Sequence, residues 1–355
     1  MDTFLYSIPL LGILFQIVGY LIAILPTSAP IILRAATPLG FGALCGVICE
    51  RSGVVNIGIE GTMLTAAFTG WVAAIAAVAL LGPMSPGPLG FTPALLIGLV
   101  AAVLSAMAVS LLHAWLSISL RVDQIISGTI INIAAFGITG YLNNVISAAS
   151  PTSAGQFGKI TPPAELTDLP IIGWLLTTIL NQGPITISLL VIVIVFQVLL
   201  FRSRWGLRTR AVGEHPKAAE TVGINVIRLR YRNVLVGGML AGLGGAFLSM
   251  ELSNSFQAGG TAGRGFIALA AMIVGRWTPI GAFGAALLFS LFLTLGQTIN
   301  FLPPGGDLGV IVKAVPAQVF SALPYLVTII ILAGVIGRST PPAADGQPYE
   351  REATA

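Results

Sequence analysis

The chain has 355 residues, of which 55% are hydrophobic and only 8% are charged, and its mean hydropathy is +0.94. A soluble domain carries about 25% charged residues, so this composition excludes a soluble protein and indicates an all-α, polytopic protein embedded in a lipid bilayer. The formal net charge of +4 is not a nucleic-acid signal, because the basic residues sit in short loops between apolar runs.

A helix needs about 20 apolar residues to cross a bilayer. Taken in chain order, the apolar runs predict about ten transmembrane segments, at 8–25, 31–49, 57–81, 92–116, 124–146, 185–201, 233–250, 264–275, 280–299 and 319–336. Pro26 is expected to close the first of them. The run at 264–275 is too short to cross easily, so we interpret it as a half-helix or a short, buried span. Residues 1–337 are therefore predicted to form one transmembrane domain.

Two segments outside the spans are long and polar. Residues 147–182 are rich in Ser, Thr and Pro, and their middle, 169–180, is expected to lie at the membrane interface. Residues 338–355 are polar and contain Pro, which predicts a disordered tail.

The loop 202–232 contains eight basic residues between two apolar runs. Lys and Arg are retained on the cytoplasmic side of a membrane, so this loop fixes the orientation. With both termini in the cytoplasm, 13 of the 17 basic residues fall inside.

The middle of this basic loop can form a short helix. Its expected limits are Glu214 and Val222, between Gly213 and Gly223, with Pro216 in the first turn. Ala218 and Ala219 are small enough to let a partner approach. The charged residues at 214, 217 and 220 are expected to share one stripe. The candidate contact residues are Glu214, His215, Pro216, Lys217, Ala218, Ala219 and Glu220.

Asn56 and Glu60 are four residues apart within GVVNIGIEG, at the start of the third apolar run. This spacing predicts that they share one face of a helix weakened by three glycines. A carboxylate at the centre of a bilayer costs roughly 2.5–3.5 kcal/mol. Glu60 therefore either lines a path through the membrane beside a broken helix, or lies at the interface, where it snorkels to water or acts as a cap.

Further amides lie within the apolar runs. Amides both donate and accept hydrogen bonds, which suits the passage of an uncharged, polyhydroxylated or heterocyclic solute. The alternative is hydrogen bonding between helices. The candidates are Gln124, Asn132, Asn143, Asn144 and Gln297.

No enzymatic motif appears in the sequence. GxxxxGK[ST], GxSxG and HExxH are all absent, and Cys45 and Cys49 have no metal-ligand spacing. We therefore predict no catalytic residue, no metal and no cofactor. If ATP drives transport, another chain must hydrolyse it.

Three blocks carry a family resemblance: 50–68, ERSGVVNIGIEGTMLTAAF; 206–224, GLRTRAVGEHPKAAETVGI; and 263–289, GRGFIALAAMIVGRWTPIGAFGAALLF. The chain resembles the permease subunits of bacterial ABC importers in the branched-chain amino acid and simple-sugar group. The first and third blocks look most like the nucleoside-importing branch. Ribose-type permeases have an aspartate-leucine-serine core where this chain has Asn56, Ile57 and Gly58.

The resemblance implies an ABC importer permease fold, without enzyme activity, in the bacterial inner membrane. It also implies ABC ATPase subunits, a second and usually different permease chain, and a substrate-binding lipoprotein or periplasmic protein as partners. The short helix at 214–222 would then be the coupling helix. Permeases for a simple sugar or a branched-chain amino acid remain alternatives. An ion-coupled secondary transporter would need more intramembrane ionisable groups than Glu60.

Overall fold

The computed structural model describes residues 9–82, 85, 87, 90–149, 153–161, 163–167, 169, 172–332 and 339–350. Over these residues the regular elements are helices, as the sequence predicts. In chain order they are α1 Pro9–Glu50, α2 Ile59–Leu81, α3 Pro93–Ala114, α4 Gln124–Ala149, α5 Ala164–Thr167, α6 Ile172–Leu180, α7 Pro184–Arg202, α8 Arg204–Glu214, α9 Pro216–Thr221, α10 Val226–Ala246, α11 Arg264–Val274, α12 Pro279–Phe301, α13 Gly306–Lys313 and α14 Ala317–Leu332. Wide π-helical turns extend α3 through Trp115–Ser119 and α10 through Phe247–Leu252.

Seven helices within the described residues are long and apolar enough to cross a membrane: α1, α2, α3, α4, α7, α10 and α12. The polytopic helical architecture is thus confirmed. The predicted count of about ten transmembrane segments is not confirmed, because seven of the described helices meet the criteria of length and composition. Helix α11 has 11 residues, which confirms that the run at 264–275 forms only a short helix. It extends about 16 Å, or half the thickness of the hydrocarbon core.

The first two predicted spans form one helix. Helix α1 continues for 42 residues through Pro26, Pro30 and Pro38, so the predicted end at Pro26 is wrong. Proline is tolerated inside a membrane helix because neighbouring groups and local adjustments satisfy the carbonyl that it leaves without a donor. Close to Pro26, the hydroxyl groups of Thr27 and Ser28 both donate to the Ile24 carbonyl, at 2.9 and 2.8 Å.

Helix α10 lies at the centre of the bundle and packs against α1, α2 and α3. About four fifths of its most apolar stretch is buried inside the protein, a larger share than in any other of the seven long helices. Small residues allow this close packing: a Cβ atom at Gly245 would lie only 2.3 Å from the Met63 carbonyl oxygen. Close backbone approach through glycine is typical of helix contacts in membranes.

The ends of α1, α7 and α8 meet the start of α10 on one side of the bundle, which we call the basic end. Arg51, just after α1, donates to the Trp277 carbonyl at 2.9 Å, and Arg230 of α10 donates to the Ser52 carbonyl at 3.0 Å. Asn225 caps α10 by accepting from the Arg228 amide, so this helix begins seven residues before the predicted 233.

The opposite end carries the 147–182 linker, and we call it the linker end. The Phe157 amide donates to the Met250 carbonyl, and Gln182 donates to the Pro30 carbonyl, both at 3.0 Å. The tyrosine hydroxyl of Tyr20 reaches the Leu302 carbonyl at 2.7 Å. Helix α1 therefore runs from the basic end to the linker end and beyond it.

The tail does not behave as predicted from composition. Residues 339–350, which we call the C-terminal strap, lie across the basic end in a defined path. The Ala344 amide donates to the Gly213 carbonyl at 2.9 Å, and Arg230 donates to the Gln347 carbonyl at 3.0 Å. The prediction of disorder is wrong for this stretch, because polar groups of the bundle satisfy its backbone. Residues 333–338 and 351–355 lie outside the described part.

Candidate functional site

The backbone between α1 and α2 is irregular although apolar helices surround it. Residues 51–58 contain turns and backbone without regular secondary structure, and Gly53 adopts φ of +83°, a conformation that favours glycine. Asn56 lies in this stretch, whereas Glu60 lies in the first turn of α2. The prediction that both residues share a helix face is therefore wrong.

Side chains of α3 and α4 bind the polar groups of this irregular stretch. Gln124 accepts from the Val55 amide at 2.7 Å, and His113 Nε2 lies 3.0 Å from the Val55 carbonyl. Asn132 accepts from the Gly61 amide at 2.7 Å and donates to the Ile57 carbonyl at 3.0 Å. Irregular backbone inside a membrane protein needs such partners. Gln124 and Asn132, which we predicted as path residues, therefore hold the interruption in place.

Asn56 is buried beside α1. Its amide nitrogen lies 3.8 Å from the sulfur atoms of Cys45 and Cys49, and its carbonyl oxygen has no hydrogen-bond partner. Amide-to-sulfur hydrogen bonds are weak. Asn56 thus keeps an unused acceptor within the interrupted region.

Glu60 caps the short helix α11. Its carboxylate accepts from the Gly263 amide at 2.8 Å and from the Gly265 amide at 2.5 Å. These amides belong to the positive end of a helix dipole, which favours a carboxylate. A Cβ atom at Gly265 would lie 2.6 Å from the Glu60 backbone, so glycine is required for this approach. Glu60 therefore joins the starts of two interrupted helices.

A cavity of about 290 Å³ lies beside this junction. The loop 253–262, the π-helical end of α10 and two residues of α2 form its walls. Leu64 stands one turn beyond Glu60, and Arg264 follows the capped Gly263. Ser249 faces the cavity with a buried hydroxyl that has no hydrogen-bond partner. Phe256 contributes an aromatic wall and packs edge-on against Phe68, 5.1 Å between ring centroids.

Sequence reasoning missed Glu251, a second carboxylate in the apolar bundle. Its side chain accepts from the Ile185 amide at 2.7 Å, the Thr186 amide at 3.2 Å and the Thr186 hydroxyl at 2.5 Å. It therefore caps α7, as Glu60 caps α11. The predicted span ended at Met250, which left Glu251 as a loop residue.

The remaining predicted path residues lie elsewhere. Asn143 and Asn144 are three turns beyond Asn132 on α4, towards the linker end, and Asn144 is exposed. Gln297 belongs to α12, and its side chain lies outside the described part. The structure does not bring Asn143 and Asn144 to the junction at Glu60.

The basic loop contains two helices at its centre. Glu214 ends α8, and α9 spans only Pro216–Thr221, so Glu214, Lys217 and Glu220 do not form the single predicted stripe. Ala219 is buried against Val212, Val226 and Tyr349, which contradicts its predicted place against a partner. The residues exposed here are Glu214, His215, Lys217 and Ala218, with Pro216 and Glu220 half-buried.

A family model described as "Branched-chain amino acid transport system / permease component" matches residues 29–332. The chain belongs to this permease family. The permease is 38% identical over 333 residues to the guanosine ABC transporter permease protein NupQ of Bacillus subtilis, covering 93% of this chain and 98% of that relative.

It is 37% identical to the nucleoside ABC transporter permease protein NupC of Lactococcus lactis, covering 88% and 93% of the two chains. It is 33% identical to the putative glucose ABC transporter permease protein TsgC13 of Haloferax volcanii, covering 90% and 96%. No solved structure matches the permease significantly. It is thus a multi-pass membrane transport subunit and not an enzyme.

Proposed function

We propose that this permease carries nucleosides across the bacterial cytoplasmic membrane as one subunit of an ABC importer. The observation that carries the proposal is its similarity, over almost the whole chain, to permeases named for guanosine and for nucleosides. Separate ATPase subunits hydrolyse ATP. A second permease chain completes the pore, and a substrate-binding lipoprotein or periplasmic protein delivers the solute.

The cavity beside Glu60 supports a nucleoside as the solute. A nucleoside offers a flat aromatic base and several hydroxyl groups. Phe256 supplies a ring on which a base can stack, and Ser249, Gln257 and Thr261 supply uncharged hydrogen-bonding groups. The cavity volume of about 290 Å³ lies just below the range of about 300–1,000 Å³ that is typical of small-molecule pockets.

The substrate path runs past the junction of the two interrupted helices. Asn56 and Glu60 border it, and Gln124 and Asn132 maintain the interruption that opens it. Asn143, Asn144 and Gln297 line the path farther along the bundle. Interrupted helices at the substrate site are a recurrent device in transporters.

The basic end faces the cytoplasm in this proposal, because Lys and Arg are concentrated there. Helix α9, with residues 214–220, couples the permease to an ATPase subunit. The C-terminal strap is cytoplasmic as well. A single crossing by the continuous α1 puts its first turn, at Pro9, on the external side, while the predicted cytoplasmic N-terminus falls on residues 1–8, outside the described part.

The test is uptake of labelled guanosine by cells that lack other nucleoside transporters and express the permease with its ATPase, second permease and binding protein. We expect ATP-dependent uptake that unlabelled nucleosides compete away, whereas glucose and leucine do not. A complex with an inactive ATPase is the control. Uptake of glucose in preference to guanosine would show that the transported solute is a sugar and not a nucleoside. The name of the Haloferax relative suggests this alternative.

A further inference from the structure

The short helix α9 is too small to be the whole docking surface for an ATPase. Stable protein interfaces bury about 800 Å² and roughly 20–30 residues on each partner. Helix α9 has six residues, and Ala219 among them is buried in its own chain. A partner that binds α9 must therefore also contact the neighbouring surface.

That neighbouring surface is the C-terminal strap. The strap and residues 214–218 form opposite walls of an open groove of about 700 Å³. Tyr349 also borders a second cavity, of about 420 Å³, on the other side of α9, formed with residues 223–228. A partner seated on α9 would meet the strap in both places.

Several bonds hold the strap against α9 and its neighbours. The Tyr349 hydroxyl donates to the Glu220 carboxylate, and the Ala343 amide donates to the Glu214 carboxylate at 3.1 Å. Glu350 forms an ion pair with Arg121 at 2.7 Å. The strap is therefore already ordered next to the helix, and a partner would not have to order it on binding.

The strap alternates between buried and exposed residues. Pro342, Ala344 and Tyr349 are buried, whereas Gln347 and Pro348 are exposed beside the groove. Asp345 is half-buried, and loss of hydration raises its pKa to about 7. The buried residues fix the strap to the bundle, while Gln347 and Pro348 face the groove, where a partner can contact them.

We infer that the ATPase subunit docks on a composite surface, formed by α9 together with the exposed residues of the C-terminal strap. This inference rests on the proposed role of α9 in coupling. It adds residues 343–350 to the contact and predicts that they touch the same ATPase subunit as Ala218.

Bulky substitutions test it. Ala218→Trp changes the exposed side of α9, Gln347→Trp changes the exposed side of the strap, and Thr161→Trp at the linker end is the matched control. Each permease is co-expressed with its partners and purified through a tag on the ATPase. We expect at least tenfold less co-purified permease for the first two variants and less than a twofold change for the control.

The possible outcomes distinguish the composite docking surface from the coupling role of α9 alone. Weak binding of Ala218→Trp with normal binding of Gln347→Trp overturns the composite surface and leaves α9 as the coupling helix. Normal binding of both variants overturns the coupling role of α9 as well.

A photo-crosslinking amino acid at position 347 gives a second measurement that does not depend on weakened binding. A covalent adduct with the ATPase supports the inference. An adduct from position 218 alone contradicts it.

Discussion

Glu60 and Glu251 are two carboxylates in the apolar bundle, and each accepts backbone N–H groups at the start of another helix. Their surroundings differ. Glu251 is only 4% exposed, and its oxygens are bound by α7 and by the Thr186 hydroxyl. Glu60 is half-buried, caps a helix of only 11 residues, and adjoins the cavity through Arg264.

The comparison teaches that capping alone does not distinguish a structural carboxylate from a functional one. Both residues stabilise a helix dipole. What distinguishes them is exposure: neighbours of both residues line the cavity, but Glu251 is buried against α7, whereas Glu60 is half-buried. We therefore expect loss of Glu251 to affect folding and loss of Glu60 to affect transport.

The largest effect is expected for Glu251→Ala, which leaves two amides and a hydroxyl at the start of α7 without their acceptor. Each hydrogen bond to a charged group contributes about 1.5–3 kcal/mol, so the free energy of unfolding should fall by about 3 kcal/mol or more. The yield of monodisperse protein in detergent and its melting temperature measure this loss. Glu165→Ala, at an exposed site, is the control. Wild-type yield and melting would show that the cap is dispensable.

Glu60→Gln should reduce nucleoside uptake about tenfold while the complex still assembles. Its amide can accept one of the two N–H groups but presents an NH₂ group to the other, which disturbs the start of α11 beside the cavity. Uptake and co-purification of the ATPase are measured on the same preparation. Full uptake at normal expression would make Glu60 a structural residue like Glu251.

The smallest effect is expected for Thr186→Val. This change removes one hydrogen bond to Glu251 and keeps the two from backbone amides. We expect the free energy of unfolding to fall by about 1.5 kcal/mol and uptake to stay close to wild type. Thermal unfolding of the purified protein provides the measurement. A loss as large as that of Glu251→Ala would mean that the hydroxyl, and not the helix dipole, governs this site.

Sequence patterns predicted the apolar helices and the short α11, because each depends on local composition. They did not predict the partners of the residues in these helices. The acceptor of the Ile185 amide is a carboxylate 66 positions later, and no local signal connects the two. The extended α1 was missed because proline ends helices in water but is tolerated inside a bundle.

Arg230 is another residue whose surroundings the sequence did not predict. We counted it among the eight basic residues of the loop 202–232, yet it is buried in the first turns of α10 and donates to the Ser52 and Gln347 carbonyls. A buried guanidinium requires acceptors. The strap supplies one of them, which explains how a polar tail becomes ordered.

The order of the strap and its partners along the chain has a consequence for biosynthesis. Its partners, among them Gly213, Glu220 and Arg230, leave the ribosome more than 100 residues earlier. The seven long apolar helices of the described part all precede residue 302, so they can insert before the strap forms its contacts at the basic end. A chain that stops after residue 338 would contain these seven helices but lack the strap. The basic end is therefore assembled in two stages, in which the helices meet first and the strap joins them later.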